Sequence, residues 1–170
     1  PPRSAGAYIL AVTLSVSDSD RPPSCHLNDS DRLCLCSPQP NTIFLTDKGE
    51  ARITNFGRAC EVDAAKGHMP AWFPNDKLEF RAPEDASNLF SFASDMFSVG
   101  VTLFEMATGK LPNWGLDRDR LLASVDDPRK HELISFALHA DPLKRPTAEE
   151  LLRRITSLAP KVAPEQEMPL

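Results

Sequence analysis

The sequence predicts an α+β, mainly α domain, and three local observations carry that prediction. Ile43-Phe44-Leu45 and Ala51-Arg52-Ile53 are short β-rich runs on either side of Thr46-Asp47-Lys48-Gly49-Glu50. A D-x-G turn between two such runs is a hairpin signal. Residues 91–108 place apolar side chains at helical spacing on most faces, which marks a buried helix. Thr147-Ala148-Glu149-Glu150 matches a capping box, with Thr147 at the cap and Glu150 three residues on.

In chain order, residues 5–16 form the first apolar run. It is too short to span a bilayer. With Arg3 as its sole preceding charge it resembles a signal-peptide core only loosely, and a buried strand or helix piece is the better reading. The chain opens on Pro1 rather than Met, as a fragment would. Residues 17–40 are rich in Ser, Asp, Pro and Cys without a hydrophobic period, so they read as irregular. The hairpin follows, then Asn55-Phe56-Gly57. Residues 58–81 contain Pro70 and Pro74 and form a long loop. In the buried helix, Met96, Val99, Leu103 and Met106 make one stripe, and Phe97, Val101 and Phe104 the next. Gly109 is placed to end it. A helix over 129–139 turns Leu133, Phe136 and Ala137 inward. The helix from Thr147 uses Leu151, Leu152 and Ile155. Residues 159–170 hold three prolines and read as a tail, and no internal repeat is visible. The expected organisation is an irregular segment over 1–39, a folded unit over 40–158 and a flexible tail.

A chain of 170 residues is enough for one modest core. Its net charge of -5, without any basic run, argues against a nucleic-acid binder. Cys25, Cys34, Cys36 and Cys60 fit neither a paired C-x-x-C zinc site nor a disulfide framework. Reduced thiols in an intracellular protein, cytoplasmic or nuclear, are expected. The expected partner is a protein, as substrate or binding partner, with no nucleic acid and no membrane.

Four short motifs occur in one order: N-F-G at 55–57, A-P-E at 82–84, S-D-M-F-S-V-G at 94–100 and D-P-L-K-R-P-T at 141–147. Together, at these separations, they resemble the C-terminal lobe of a eukaryotic protein kinase, over roughly residues 40–157. The resemblance implies a mostly helical lobe with a β-hairpin at the active-site edge. It implies phosphoryl transfer from ATP to protein Ser/Thr or Tyr, with Mg2+ neutralising charge. No part of the chain matches the family's N-lobe, with its Gly-rich loop and strand Lys. Glu84 and Arg145 match a buried ion pair of the family, and Asp95 a residue that hydrogen-bonds the catalytic-loop backbone. All three read as structural, and Phe56 and Gly57 as structural parts of the N-F-G loop, with Phe56 packed inward.

The chemical positions depart from the family. Its D-F-G Asp holds magnesium, and here that residue is Asn55. An amide oxygen still ligates a hard cation but brings no charge. Asn55 as a plain turn cap is favoured over residual metal binding. The family's H-R-D-x-K-P-x-N falls on Leu35-Cys36-Ser37-Pro38-Gln39-Pro40-Asn41-Thr42. Ser37 takes the place of the catalytic Asp and cannot act as a base. Thr42 takes the place of the second magnesium ligand, and Asn41 reaches it only after a register shift. No residue is assigned to nucleotide binding. Residues 58–81 contain no Ser, Thr or Tyr, which excludes switching by phosphorylation there. Lys77 and Phe80 sit near the family's usual Thr and Tyr. Phe97 in place of the usual Trp, the I-F-L run and L-P-N-W are similar to Wee-type inhibitory kinases.

Residues 16–39 admit two readings, an ordinary insertion or a retained intron of 24 codons. Val16-Ser17 can be written as a splice donor, and Leu33–Gln39 as a pyrimidine-rich acceptor. Excision would join Ser15 to Pro40 and put Thr13 at the catalytic-Asp position. The leading functional expectation is a pseudokinase or binding module. The alternative is an active Ser/Thr kinase whose N-lobe and catalytic loop lie outside this chain. A fragment that does not fold alone is the third.

Overall fold

Ser91 and Ser94 start the helix around which the described residues pack. The Ser94 amide donates to Ser91 Oγ at 3.3 Å, and the Ser91 amide to Ser94 Oγ at 2.9 Å. This reciprocal cap satisfies two donors that the first turn leaves open. The helix, α1 (Phe92–Thr108), ends at Gly109, whose φ of 70° suits a residue without Cβ. The computed structural model describes residues 33–47, 51–62, 69–70, 78–87, 89–114 and 118–158. The runs at 5–16 and 159–170, and Lys77, lie outside the described residues.

Among the described residues three further α-helices follow: α2 (Arg118–Leu122), α3 (Pro128–Ala137) and α4 (Ala148–Leu158). Asp127 caps α3 by accepting from the Arg129 amide at 2.9 Å, and Pro128 follows at the first helical position, where its missing N–H costs nothing. At α4 the Glu150 amide donates to Thr147 Oγ1 at 3.1 Å, while the Glu150 carboxylate turns to Arg154 at 3.4 Å. Only one half of the expected capping box is therefore made. Gly100 brings α1 and α3 together: a Cβ there would meet Ala137 Cβ and Leu138 Cδ2 at 2.9 Å.

Strands are short and pair antiparallel in twos. β2 (Ile43–Leu45) and β3 (Ala51–Ile53) form the expected hairpin, with Phe44 opposite Arg52. β1 (Leu33–Cys34) pairs with β4 (Cys60–Glu61), and β5 (Met69–Pro70) with β6 (Leu89–Phe90). Residues 33–39, read from composition as irregular, thus carry a strand and a buried loop: Cys34, Cys36, Ser37 and Gln39 are all buried. Side chain-to-backbone bonds hold them in place, and such bonds leave no hydrophobic period.

The described residues form three apolar clusters. Phe80, Phe97, Val101, Phe104, Leu122 and Ile134 centre the largest. Met96, Leu133, Leu151 and Ile155 join α1, α3 and α4. Cys34, Cys36, Val62 and Phe90 fill the third. Three expectations need correction. Met106 is 50% exposed, on the side of the last turn of α1 away from Ala107, which packs on the largest cluster. Leu152, placed on the apolar face of α4, is exposed. Phe136 is half-buried and carries the Arg154 guanidinium 4.3 Å from its ring centre. Among the described residues no helix is long and apolar enough to cross a membrane.

Candidate functional site

Asp95 sits one turn into α1, and its side chain points at the loop after β1. Its carboxylate accepts from the Leu35 amide at 2.6 Å and the Ser37 amide at 3.1 Å. The residue between and the one after adopt left-handed backbone, with φ of 56° at Cys36 and 78° at Ser37. Non-glycine residues take that region at a cost. The two charge-assisted bonds from Asp95 offset it and fix the loop. Burial pushes the Asp95 carboxyl up to about 6, against the lowering effect of those same amides.

Ser37, expected from the motif order at the position of the catalytic Asp, is held in this loop through its own amide. It is buried, and its Oγ lies 3.4 Å from Ser98 Oγ. Ser98 also donates to the Phe80 carbonyl at 2.8 Å. Ser98 was not singled out from sequence. Its signal was a polar residue three positions after Asp95 on an otherwise apolar helix.

Thr42 and Asn55 come together through the backbone. Thr42 ends a short 3-10 turn, Pro40–Thr42, and its hydroxyl is spent inside it, donating to the Gln39 carbonyl at 2.8 Å. The Thr42 carbonyl accepts from the Thr54 amide at 2.8 Å, which ties the loop to the residue before Asn55. Asn55 is exposed, with φ 63° and ψ 53°. It precedes the 3-10 turn Phe56–Arg58 but makes no capping bond with its side chain, so the expected capping role is replaced by a conformational one. Asn tolerates left-handed backbone better than most residues. Phe56 is half-buried and lies outside the three core clusters, which corrects its expected inward packing. Gly57 is exposed. Asn41, the shifted candidate, is exposed on the 3-10 turn.

Arg145 anchors the other side of the lobe. Its Nη1 and Nη2 grip Glu84 Oε1 and Oε2 at 2.5 and 2.8 Å. Nε donates to the His139 carbonyl at 2.8 Å, Nη1 to Ala93 at 2.8 Å and Nη2 to Ala140 at 3.3 Å. All five guanidinium donors are satisfied. The Arg145 side chain is fully buried, with its guanidinium 5.0 Å from the Phe97 ring centre. Trp114, missed as a site element, stacks tilted on Phe97 at 5.3 Å and donates from Nε1 to the Glu79 carbonyl at 2.8 Å. Neighbouring Asp85 is buried, accepts from the Ala82 amide at 3.0 Å, and is pushed up to about 6 by burial.

The donors at positions 37, 42 and 55 are a buried hydroxyl, a hydroxyl already bonded and an exposed amide. They supply no carboxylate. Among the described residues no group of three His, Cys, Asp or Glu side chains is arranged to hold a metal ion.

Comparison with known proteins adds an independent line. The chain is 31% identical over 128 residues to mitogen-activated protein kinase kinase 3 of Arabidopsis thaliana, covering 67% of this chain and 24% of that protein. It is 27% identical over 148 residues to mitogen-activated protein kinase kinase 1 of the same plant, covering 75% of this chain and 41% of the relative. It is 26% identical over 136 residues to the membrane-associated tyrosine- and threonine-specific cdc2-inhibitory kinase of Drosophila melanogaster, covering 74% and 25%. The chain spans less than half the length of these curated relatives. The protein kinase domain matches residues 39–155, more than half of the chain, and on that match the chain belongs to the protein kinase family.

Proposed function

We propose that this chain is a protein-kinase lobe without competent phosphoryl transfer, serving as a protein-binding or regulatory module. The observation that supports the reading is Ser37, a buried residue bonded into the fold through its own amide, at the position that the motif order assigns to the catalytic base. A serine hydroxyl takes no proton from a substrate hydroxyl near neutral pH. Protein kinases work with ATP and Mg2+, whose triphosphate charge needs anionic metal ligands and cationic clamps. The residues present do not fit that group. Thr42 Oγ1 is committed to Gln39, and Asn55 offers a neutral oxygen from an exposed left-handed turn. No catalytic step is assigned through ATP or magnesium on this chain.

A second reading, an active Ser/Thr kinase whose remaining parts lie outside this chain, draws on the intact frame of Asp95 and Glu84–Arg145 and on the relatives' greater length. A Wee-type branch draws on Phe97 and on the cdc2-inhibitory relative. Two mitogen-activated protein kinase kinases match at similar identity, so a branch and its substrates stay outside the proposal. Isothermal titration of the chain with ATP, with and without Mg2+, separates the first two. No metal-dependent heat supports the module. Tight metal-dependent binding would sink it in favour of the enzyme.

A further inference from the structure

The outer face of α2, α3 and α4 carries a groove that none of the candidate catalytic positions touches. It is an open groove of about 440 Å³ whose lining includes Arg118, His131, Glu132, Phe136, His139 and Arg154. Two guanidiniums and two imidazoles there face a single lining carboxylate. Arg118, the first residue of α2, is tethered by Nη2 to the Ser135 carbonyl at 2.7 Å, yet its Nε is buried with no hydrogen-bond partner. An unmade bond from a charged buried donor is costly, and a turn of the guanidinium toward the groove would let an anion there supply it.

The other polar groups of the groove are available too. Arg154 lies flat on Phe136 and makes only long single contacts to Glu132 at 3.3 Å and Glu150 at 3.4 Å. Exposed pairs of that kind hold weakly. His139 has two contacts to Asp141 through Nδ1. The shorter, 3.0 Å, comes from the Asp141 amide, so Nδ1 accepts and the ring proton rests on Nε2 as a donor. Phe136 lines the groove beside these donors, and an apolar wall next to them suits an anion carried on an organic group.

We propose that this groove binds a phosphate monoester carried on a side chain of a partner protein. The test is an amide chemical-shift titration of the full 170-residue chain with a short phosphotyrosine peptide, its unphosphorylated form and inorganic phosphate. Saturable shifts at residues 118, 131–139 and 154 with the phosphopeptide, and weaker binding of inorganic phosphate, are expected. Arg118→Gln should weaken binding about tenfold. Glu132→Gln, at an exposed position that the fold does not depend on, should tighten it about threefold by removing the one opposing lining charge. Equal binding of the phosphorylated and unphosphorylated peptides, equal affinity for inorganic phosphate, or no saturable shift in either the wild type or Glu132→Gln would overturn the assignment.

Discussion

Arg145 shows how much structure one side chain can organise. It satisfies three carbonyls and one carboxylate from inside the core, so its loss would strand Glu84 and three acceptors together. Arg145→Met is expected to destabilise the chain by about 3–5 kcal/mol in urea unfolding. Arg145→Lys should recover less than half of that, because a point cation cannot fork onto Glu84. A loss under about 1 kcal/mol for Arg145→Met would mean the network is ornamental. The buried carboxyls make a second prediction at this scale. Asp85 and Asp95 are pushed up to about 6, against an ordinary value near 3.9. Between about pH 4 and 6 the folded chain holds protons that the unfolded chain has released. The resulting stabilisation is fully present below the unfolded value and is lost as pH rises through 6. On lowering pH from 7 to 5, the urea midpoint of the wild type should therefore gain relative to that of Asp85→Asn. Parallel midpoint curves for the two proteins would contradict this.

At the scale of elements, α1 and α3 meet where Gly100 has no side chain. A methyl there would press on Ala137 Cβ and Leu138 at 2.9 Å, inside van der Waals contact. Gly100→Ala removes a helix-propensity penalty of about 1 kcal/mol. The overpacking it creates costs about 1–3 kcal/mol. The expected net is a lower thermal midpoint, and a higher one would show that the two helices slide apart freely. The elements differed in how far sequence revealed them. The length of α1, its Gly109 stop and the β2–β3 hairpin were legible, because each repeats a local pattern over enough residues. α2, with five residues, is too short to show a period. Phe136 and Met106 lie on helical stripes that sequence could not tell from core, since burial there depends on whether a neighbouring element reaches them. The loop at 35–39 was illegible for another reason: its order comes from Asp95, about 60 positions away, and from no pattern of its own. Only the motif order around Asp95 pointed there.

At the scale of the whole molecule, α1 decides whether these pieces act together. Leu103 packs against both large clusters, and Phe92 at its start packs against the third. Asp95 and the carbonyl of Ala93 tie the same helix to the β1 loop and to Arg145. Local opening of any one cluster thus exposes a face of the helix on which the other two rest. The described lobe should unfold as one cooperative unit despite its three small sheets. Trp114, stacked on Phe97 in the largest cluster, reports on packing, and far-ultraviolet circular dichroism reports on the helices. In a Trp72→Phe background both signals should share one urea midpoint and one slope. If fluorescence changes well before the helices melt, the Phe97 cluster is a separate unit, and α1 does not couple the lobe. Adding Mg-ATP separates the readings of function in the same experiment. A ligand that binds only the folded state moves the midpoint by an amount set by its concentration over Kd. A module lacking anionic ligands at 37, 42 and 55 should show no such movement, whereas a shift that grows with ATP would return the chain to the enzymes.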